Sequence, residues 1–357
     1  MFKKIRVLVV DDSAFMRKAI SDMINSQKDM EVIDVARNGL DAIEKAIKIQ
    51  PEIITLDVEM PKLNGLDALK LIKEKTSCEV IMLSSLTAEG SEVTMECLKE
   101  GAFDFIQKPS GSISLNIDTV VNDLAEKIRY ANRNIKRLDS KVNKVKVNPM
   151  QIEDNNKVKT KPTLIGNRGE VKAIVIGAST GGPKVLFDIL TALPGSINIP
   201  IFVVQHMPKG FTKAFAERIN KSSELKVVEA SDGDRIEKNT IYVAPGGYHM
   251  ILKSKERIGL ELTPSIHGVR PAVDKLFESA ANIYKTALVG CICTGMGKDG
   301  AIGIRNIKML GGYTISQDEG TSVVYGMPKA AYETGCVDNI LPYNKIPQEL
   351  IRLIKGK

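Results

Sequence analysis

The sequence predicts an α/β fold built as two doubly wound parallel-sheet domains joined by a linker. Three observations predict it. Short apolar runs alternate with helical patterns over residues 1–125 and again over 171–357; the segment 139–170 between them is basic and lacks periodicity; and polar clusters fall directly after the apolar runs. A chain of 357 residues suits two domains of roughly 100–200 residues each, and 43% hydrophobic content is ample for two cores.

In the first domain, residues 5–10 (Ile-Arg-Val-Leu-Val-Val) form an apolar run too short for a buried helix and read as a strand. An amphipathic stretch at 14–26, a β-branched run at 31–36 and a second helical pattern at 39–49 follow. The rhythm continues through a strand at 53–56, a helix at 66–75, a strand at 80–83, a helix near 91–100 and a strand at 103–107. Apolar positions at Ile117, Val120, Val121, Leu124, Ile128, Ala131, Ile135 and Leu138 predict a last helix from 116 to about 138, long enough to stiffen the start of the linker.

Charge locates the linker and narrows the partners. Residues 133–172 hold eleven Lys or Arg against four Asp or Glu, and this excess of seven equals the net charge of the whole chain. The two domains are therefore balanced, which argues against a basic nucleic-acid face. Five scattered cysteines without metal-ligand spacing fit reduced thiols in a cytosol. The basic start Met1-Phe2-Lys3-Lys4 precedes an apolar stretch broken by Arg6 and stopped at Asp11-Asp12, so an export signal is not expected. No apolar run approaches the roughly 20 residues needed to span a bilayer, so membrane insertion is not expected either.

In a parallel sheet, chemistry collects at the carboxyl ends of the strands. Asp11 and Asp12 follow the first strand, Asp57 the third, Ser84 and Ser85 the fourth, and Lys108 the fifth. Singly, a loop aspartate is usually a cap and Lys-Pro a turn. Together they suit an octahedral Mg²⁺ held by Asp12, Asp57 and a backbone carbonyl such as that of Glu59, with Asp11 acting through water. Asp57 would attack a phosphoryl donor while Lys108 neutralises developing charge. The blocks 7–13 (Val-Leu-Val-Val-Asp-Asp-Ser), 56–61 (Leu-Asp-Val-Glu-Met-Pro), 83–85 and Lys108-Pro109 resemble the signature of bacterial response-regulator receiver domains. That resemblance implies a flavodoxin-like receiver, Asp57 as phosphoacceptor, Ser84 as the hydroxyl that swings toward the phosphoryl group and Phe105 as the aromatic coupled to it. It also implies Mg²⁺ and a histidine kinase as phosphodonor.

The second domain repeats the pattern, with strands at 172–177, 199–204, 225–229 and 287–293 and helices at 183–192, 211–221, 272–284 and 300–310. Ser179 lies in a glycine-rich turn after the first strand, His206 follows the second, and Asp299 ends the sequence 294–299 after the last. Ser179 as nucleophile, His206 as general base and Asp299 as its orienting carboxylate would make a hydrolase, with N–H groups near Thr180 and Met296 holding the oxyanion. Spacing leaves other readings open: Ser179 or Asp299 as helix caps, or a phosphate-binding loop, though the Gly-Lys-Ser or Gly-Lys-Thr ending is missing. His249 lies in a strand-like stretch and His267 in a loop; either lines the site or serves packing or the surface.

The blocks 176–183 (Ile-Gly-Ala-Ser-Thr-Gly-Gly-Pro), 204–208 (Val-Gln-His-Met-Pro), 244–249, 270–274 and 294–300 (Thr-Gly-Met-Gly-Lys-Asp-Gly) resemble the chemotaxis protein-glutamate methylesterase family, CheB. The resemblance implies a Rossmann-like hydrolase domain with Ser179, His206 and Asp299 as triad. Met296 would lend its N–H to the oxyanion hole, Thr180 would support the site, and ester hydrolysis would need no cofactor. It further implies a cytoplasmic enzyme acting on γ-glutamyl methyl esters, and on certain glutamines, of methyl-accepting chemoreceptor cytoplasmic helices. Phosphorylation at Asp57 would then activate the hydrolase by weakening a contact between the domains. The alternative is a response regulator whose output domain only binds DNA or protein, with Ser179 structural.

Overall fold

The computed structural model describes residues 3–85, 87–108, 117–145 and 170–356. The chain divides into two compact units, residues 1–155 and 156–357.

The first unit runs β1 (Ile5–Val10), α1 (Ala14–Asn25), β2 (Met30–Ala36), α2 (Gly39–Ile49), β3 (Ile53–Asp57), α3 (Gly65–Lys75), β4 (Glu79–Ser84), α4 (Ala88–Lys99), β5 (Asp104–Gln107) and α5 (Ile117–Val145). Its five strands are all parallel, in the order β2-β1-β3-β4-β5. The inner strands β3 and β4 are buried at every residue, as expected for a sheet covered on both faces. Each of the first four helices starts on a side-chain cap: Ser13, Asn38, Asn64 and Thr87 accept from the N–H three residues on. These caps place every βα turn at the carboxyl edge of the sheet, where the predicted acidic residues stand. One boundary differs from expectation: α5 continues to Val145 instead of stopping near 138. Residues 139–145 contain neither Gly nor Pro, and lysine is a good helix former, so nothing ends the helix where its apolar pattern fades. The rest of the expected linker, 146–169, lies outside the described residues.

The second unit runs β6 (Ala173–Ala178), α6 (Gly182–Thr191), β7 (Ile201–Gln205), α7 (Phe211–Asn220), β8 (Lys226–Glu229), β9 (Thr240–Val243), β10 (His249–Leu252), β11 (Ile258–Glu261), α8 (Val273–Tyr284), β12 (Leu288–Ile292), α9 (Ala301–Met309), β13 (Tyr313–Gln317), α10 (Met327–Glu333), β14 (Asn339–Leu341) and α11 (Ile346–Ile354). Seven parallel strands are ordered β14-β13-β12-β6-β7-β9-β8, and β10 and β11 form a separate antiparallel ribbon. After β6 the chain builds outward through β7, then returns to the other side of β6 at β12, so a topological switch point opens at the carboxyl ends of β6 and its two neighbours. The core beside it joins Phe202, stacked on Tyr242 at 5.6 Å between ring centroids, to Val273, Phe277, Met250 and Met327.

Helices α8 and α9 pack closely because Gly303 has no side chain: a Cβ there would meet Phe277 Cβ at 2.5 Å. Gly→Ala in an open helix gains roughly 0.5–1 kcal/mol of helix propensity. At this contact the sign reverses, and Gly303→Ala is expected to destabilise the second unit by about 1–3 kcal/mol through overpacking. Thermal unfolding of the full chain checks this; a raised Tm would show that the helices can separate without cost.

Candidate active site and phosphoacceptor site

Adjacent parallel strands bring the predicted nucleophile and base together. Ala178 of β6 pairs with Gln205 of β7, and the His206 N–H continues the ladder to Ala178 O at 3.1 Å. Ser179 and His206 therefore leave neighbouring strands side by side, roughly one strand spacing (about 4.8 Å) apart. On the other flank of β6, the Ser179 N–H donates to Thr294 O at 3.0 Å, which fixes the turn against the end of β12. Gln205 ties both residues down, its side-chain Nε2 donating to Ser179 O at 2.9 Å and His206 O at 3.2 Å.

The imidazole is oriented by a buried carboxylate. His206 Nε2 lies 2.8 Å from Asp299 Oδ2, with side chains 9% and 2% exposed. This engages Nε2 and leaves Nδ1 as the ring nitrogen available to a hydroxyl proton. Ser179, half-buried, has no side-chain hydrogen bond among the described residues. Asp299 Oδ2 also accepts from Val273 N–H at 2.6 Å and Oδ1 from Asp274 N–H at 3.0 Å. Burial alone would raise the Asp299 pKa, but the bond and charge of His206 and these two N–H groups hold it below the usual carboxylate value. Asp299 therefore caps α8, whereas its sequence position just before α9 had allowed it as a cap of that helix. Nor does Ser179 cap α6 with its hydroxyl, since the N-cap is Gly181 at φ 74° and makes no side-chain bond.

The loop after β12 is pinned from a segment the sequence had not marked. The Thr294 hydroxyl donates to Thr180 O at 3.0 Å and accepts from Val324 N–H at 2.9 Å, while Thr294 N–H donates to Gln317 Oε1 at 2.7 Å. Thr180 is buried, and its hydroxyl contacts Met296 Sδ at 3.3 Å, bracing that side chain. His249 is buried and fully engaged: Nδ1 accepts from Ala272 N–H and Nε2 donates to Pro264 O, both at 3.1 Å, with burial lowering its pKa, so it serves as a neutral structural group. His267 sits on an exposed loop with Nε2 3.6 Å from Asp274 Oδ2. Gln317 was not marked by the sequence, and Gln205 and Asp274 stood in the quoted blocks without a role, because the roles rest on contacts that span 23 or more residues of sequence.

In the first unit, Asp11, Asp12 and Asp57 gather their carboxylates within 4.8 Å of one another. Lys108 Nζ stands 2.8 Å from Asp11 Oδ2 and 2.7 Å from Asp57 Oδ2. These contacts are ionic rather than well-directed hydrogen bonds, and both buried oxygens keep unfilled lone pairs. An oxygen-only set with orphaned lone pairs suits a hard divalent cation. Burial pushes the Asp57 carboxyl up to about 6, with Lys108 pulling the other way and Asp11 adding to the rise. The Glu59 side chain turns to the hydroxyls of Ser85 and Thr87, at 3.2 and 3.4 Å. Ser84 is buried; its hydroxyl donates toward Gly90 O at 3.2 Å and accepts from Thr94 at 2.7 Å. Phe105 is buried beneath Lys127, whose Nζ is 5.7 Å from the ring centroid.

Comparison with known proteins finds families for both units. Residues 7–117 match the response regulator receiver domain family, and residues 174–350 match the CheB methylesterase family. A protein-glutamate methylesterase/protein-glutamine glutaminase of Clostridium acetobutylicum is 47% identical over 355 residues, 99% of each chain. One of the same description from Thermotoga maritima is 49% identical over 357 residues, 98% of each chain. The crystal structure of the Thermotoga maritima CheB methylesterase catalytic domain superposes with a TM-score of 0.51 at 46% identity, covering 52% of this chain and all of that one. With a receiver domain, a hydrolase domain and near-half identity from end to end, the chain belongs to the CheB methylesterase family.

Proposed function

We propose that this chain is a phosphorylation-activated protein-glutamate methylesterase and protein-glutamine glutaminase of bacterial chemotaxis. The observation that carries the reading is the buried 2.8 Å contact between His206 and Asp299 on the strand end next to Ser179. His206 Nδ1 takes the Ser179 proton as the oxygen attacks the γ-carbonyl of a methylated glutamate. The Met296 N–H and donors of the 179–182 turn hold the oxyanion, with Thr180 bracing Met296. The tetrahedral intermediate expels methoxide, which leaves with the proton from His206 as methanol. A water molecule then gives a proton to His206 as its oxygen attacks the acyl-serine, and His206 returns that proton to the Ser179 oxygen as the acyl bond breaks, releasing glutamate. The amide follows the same course with ammonia as leaving group, so one site serves both substrates. Asp299 stays ionised throughout and offsets the charge of the imidazolium.

Asp57 is the proposed phosphoacceptor, with a histidine kinase as phosphodonor. Asp11, Asp12, Asp57 and the Glu59 carbonyl would hold Mg²⁺, which when bound supplies charge neutralisation for phosphoryl transfer. Lys108, already paired with Asp57, shares that role. Ser84 and Phe105 are the proposed switch pair that reports the phosphoryl group. The substrate is the cytoplasmic helical region of methyl-accepting chemoreceptors. A cytoplasmic site of action agrees with five free cysteines and with the lack, among the described residues, of any helix long and apolar enough to cross a membrane.

Methanol release from methylated receptor membranes tests the hydrolase. Ser179→Ala is expected to abolish methanol and ammonia release together, and deamidation that outlives demethylation would separate the two sites. A small-molecule phosphodonor with Mg²⁺ is expected to accelerate the wild type and leave Asp57→Ala at its basal rate. The raised Asp57 pKa also has a sign in stability. In the unfolded chain Asp57 ionises near its ordinary value of about 4, but in the folded receiver only near 6, so ionisation costs stability progressively as pH rises between them. In metal-free buffer, Asp57→Asn is expected to stabilise the receiver by about 1–2 kcal/mol above pH ~6, with the difference vanishing below pH ~4. Urea titrations at a series of pH values check it; a difference independent of pH would contradict the burial argument.

A further inference from the structure

A second buried carboxylate, unused by the triad, lies behind Asp299. Asp274 is in the first turn of α8, 7% exposed. Its Oδ1 accepts a 2.7 Å bond from Gly303 N–H in the first turn of α9, while its Oδ2 is buried without a hydrogen-bond partner. In return, Asp299 accepts the N–H groups of Asp274 and Val273. Each carboxylate thus caps the helix that follows or contains the other, and this reciprocal arrangement forces two acidic groups together. Asp274, Asp299 and His267 present polar atoms all within 4.8 Å of one another.

The charges around Asp274 are few. From the loop before α8, His267 Nε2 faces Oδ2 at 3.6 Å, its side chain 29% exposed. Arg270 donates to Thr263 O. On α8 itself, Lys275 pairs with Glu261 of β11 at 3.6 Å. From the β10 ribbon comes His249, both of whose nitrogens are engaged with backbone groups. From the loop before α9 comes Asp299, which holds His206. Among the described residues, His267 is thus the basic side chain that faces the free Asp274 oxygen.

We propose that Asp274 is a positioning residue of the hydrolase: with His267 facing it, Asp274 sets the charge behind Asp299 and through it the proton affinity of His206. This rests on the triad reading above. Burial pushes the Asp274 carboxyl up to about 6, the Gly303 N–H and His267 opposing and Asp299 adding to the rise. Its charge therefore changes close to neutrality. With Asp274 ionised, two negative charges stand behind the imidazole and the imidazolium is favoured; with it neutral, one remains. Removing the Asp274 charge must lower the proton affinity of His206.

The chain has three histidines, so ¹⁵N-imidazole NMR of the full-length protein resolves His206 directly, with His206→Gln and His267→Gln for assignment. Asp274→Asn keeps an acceptor for the Gly303 N–H and removes the charge. It is expected to lower the His206 titration midpoint by about 0.5 pH unit or more, carrying the acid limb of kcat/KM for methanol release the same way. Asp274→Ser, smaller and likewise uncharged, is expected to move both the same way, and decides the matter alone should Asp274→Asn fail to fold. Midpoints within about 0.2 pH unit of wild type in the folded variants, or a rise in Asp274→Asn, would overturn the proposal and leave Asp274 a helix cap. The ring titration does not depend on turnover. Shifted midpoints in a protein that releases no methanol would overturn the substrate reading and leave the coupling standing.

Discussion

The hydrolase site depends on one buried contact, Asp299 against His206. Its effect on the fold is as large as its effect on the imidazole. Asp299 bonds to the first two N–H groups of α8, and α8 packs on α9, whose first turn bonds to Asp274. A carboxylate 2% exposed would ordinarily be costly to ionise. Here two helix-terminal donors and one imidazole offset that cost, so the ion that orients the base also fixes the helix against which the site is built. Loss of this group removes a helix cap as well as the proposed partner of the base.

The two domains place carboxylates at the same position, the carboxyl end of a parallel strand or the loop just beyond it, yet tune them in opposite directions. Asp57 and Asp299 are both buried, the first against a lysine ammonium and the second against an imidazole. Asp57 receives one backbone donor, Glu59 N–H at 3.3 Å, and has Asp11 beside it. Asp299 receives two donors at 2.6 and 3.0 Å in addition to its imidazole. Burial wins at Asp57, and hydrogen bonding wins at Asp299. The outcome suits the proposed tasks: a phosphoacceptor held poorly satisfied is ready for a metal and a phosphoryl group, whereas an orienting carboxylate must stay charged through a catalytic cycle.

Period and turn chemistry make the scaffold legible in the sequence. The strand ends carrying Asp57, Ser179 and His206 follow from apolar runs bounded by glycine or polar residues, and these survive as β3, β6 and β7. The short strands β9, β11, β13 and β14 were not anticipated; they are three to five residues long, and β13 mixes polar with apolar side chains. The end of α5 was misplaced because fading amphipathicity does not stop a helix that meets no Gly or Pro. The candidate groups were legible because Ser179 and Asp299 lie in glycine-rich turns and His206 directly follows an apolar strand. Their supports were not. Gln205 reads as the last residue of a strand, Asp274 as a helix-start acid and Gln317 as a polar strand end, and only the crossing of β6, β7, β12 and α8 turns them into clamps.

The glycines around Ser179 illustrate the same limit from the other side. As sequence they leave a phosphate cradle open beside a nucleophile turn, even without the Gly-Lys-Ser or Gly-Lys-Thr ending, since both want backbone without side chains. In the fold the freed space is already filled by protein. A Cβ on Gly177 would meet Val273 Cγ1 at 2.4 Å, one on Gly181 would meet Val323 Cβ at 2.5 Å, and one on Gly182 would meet Gln205 Oε1 at 2.1 Å. Val273 carries an N–H that holds Asp299, and Gln205 clamps the carbonyls of Ser179 and His206. Small residues at 177–182 therefore let the supports of the base and its carboxylate press directly against the nucleophile's turn. What they admit are supports of the proposed triad, and a turn so occupied fits the proposed role of Ser179 better than a cradle wrapped around a phosphate group.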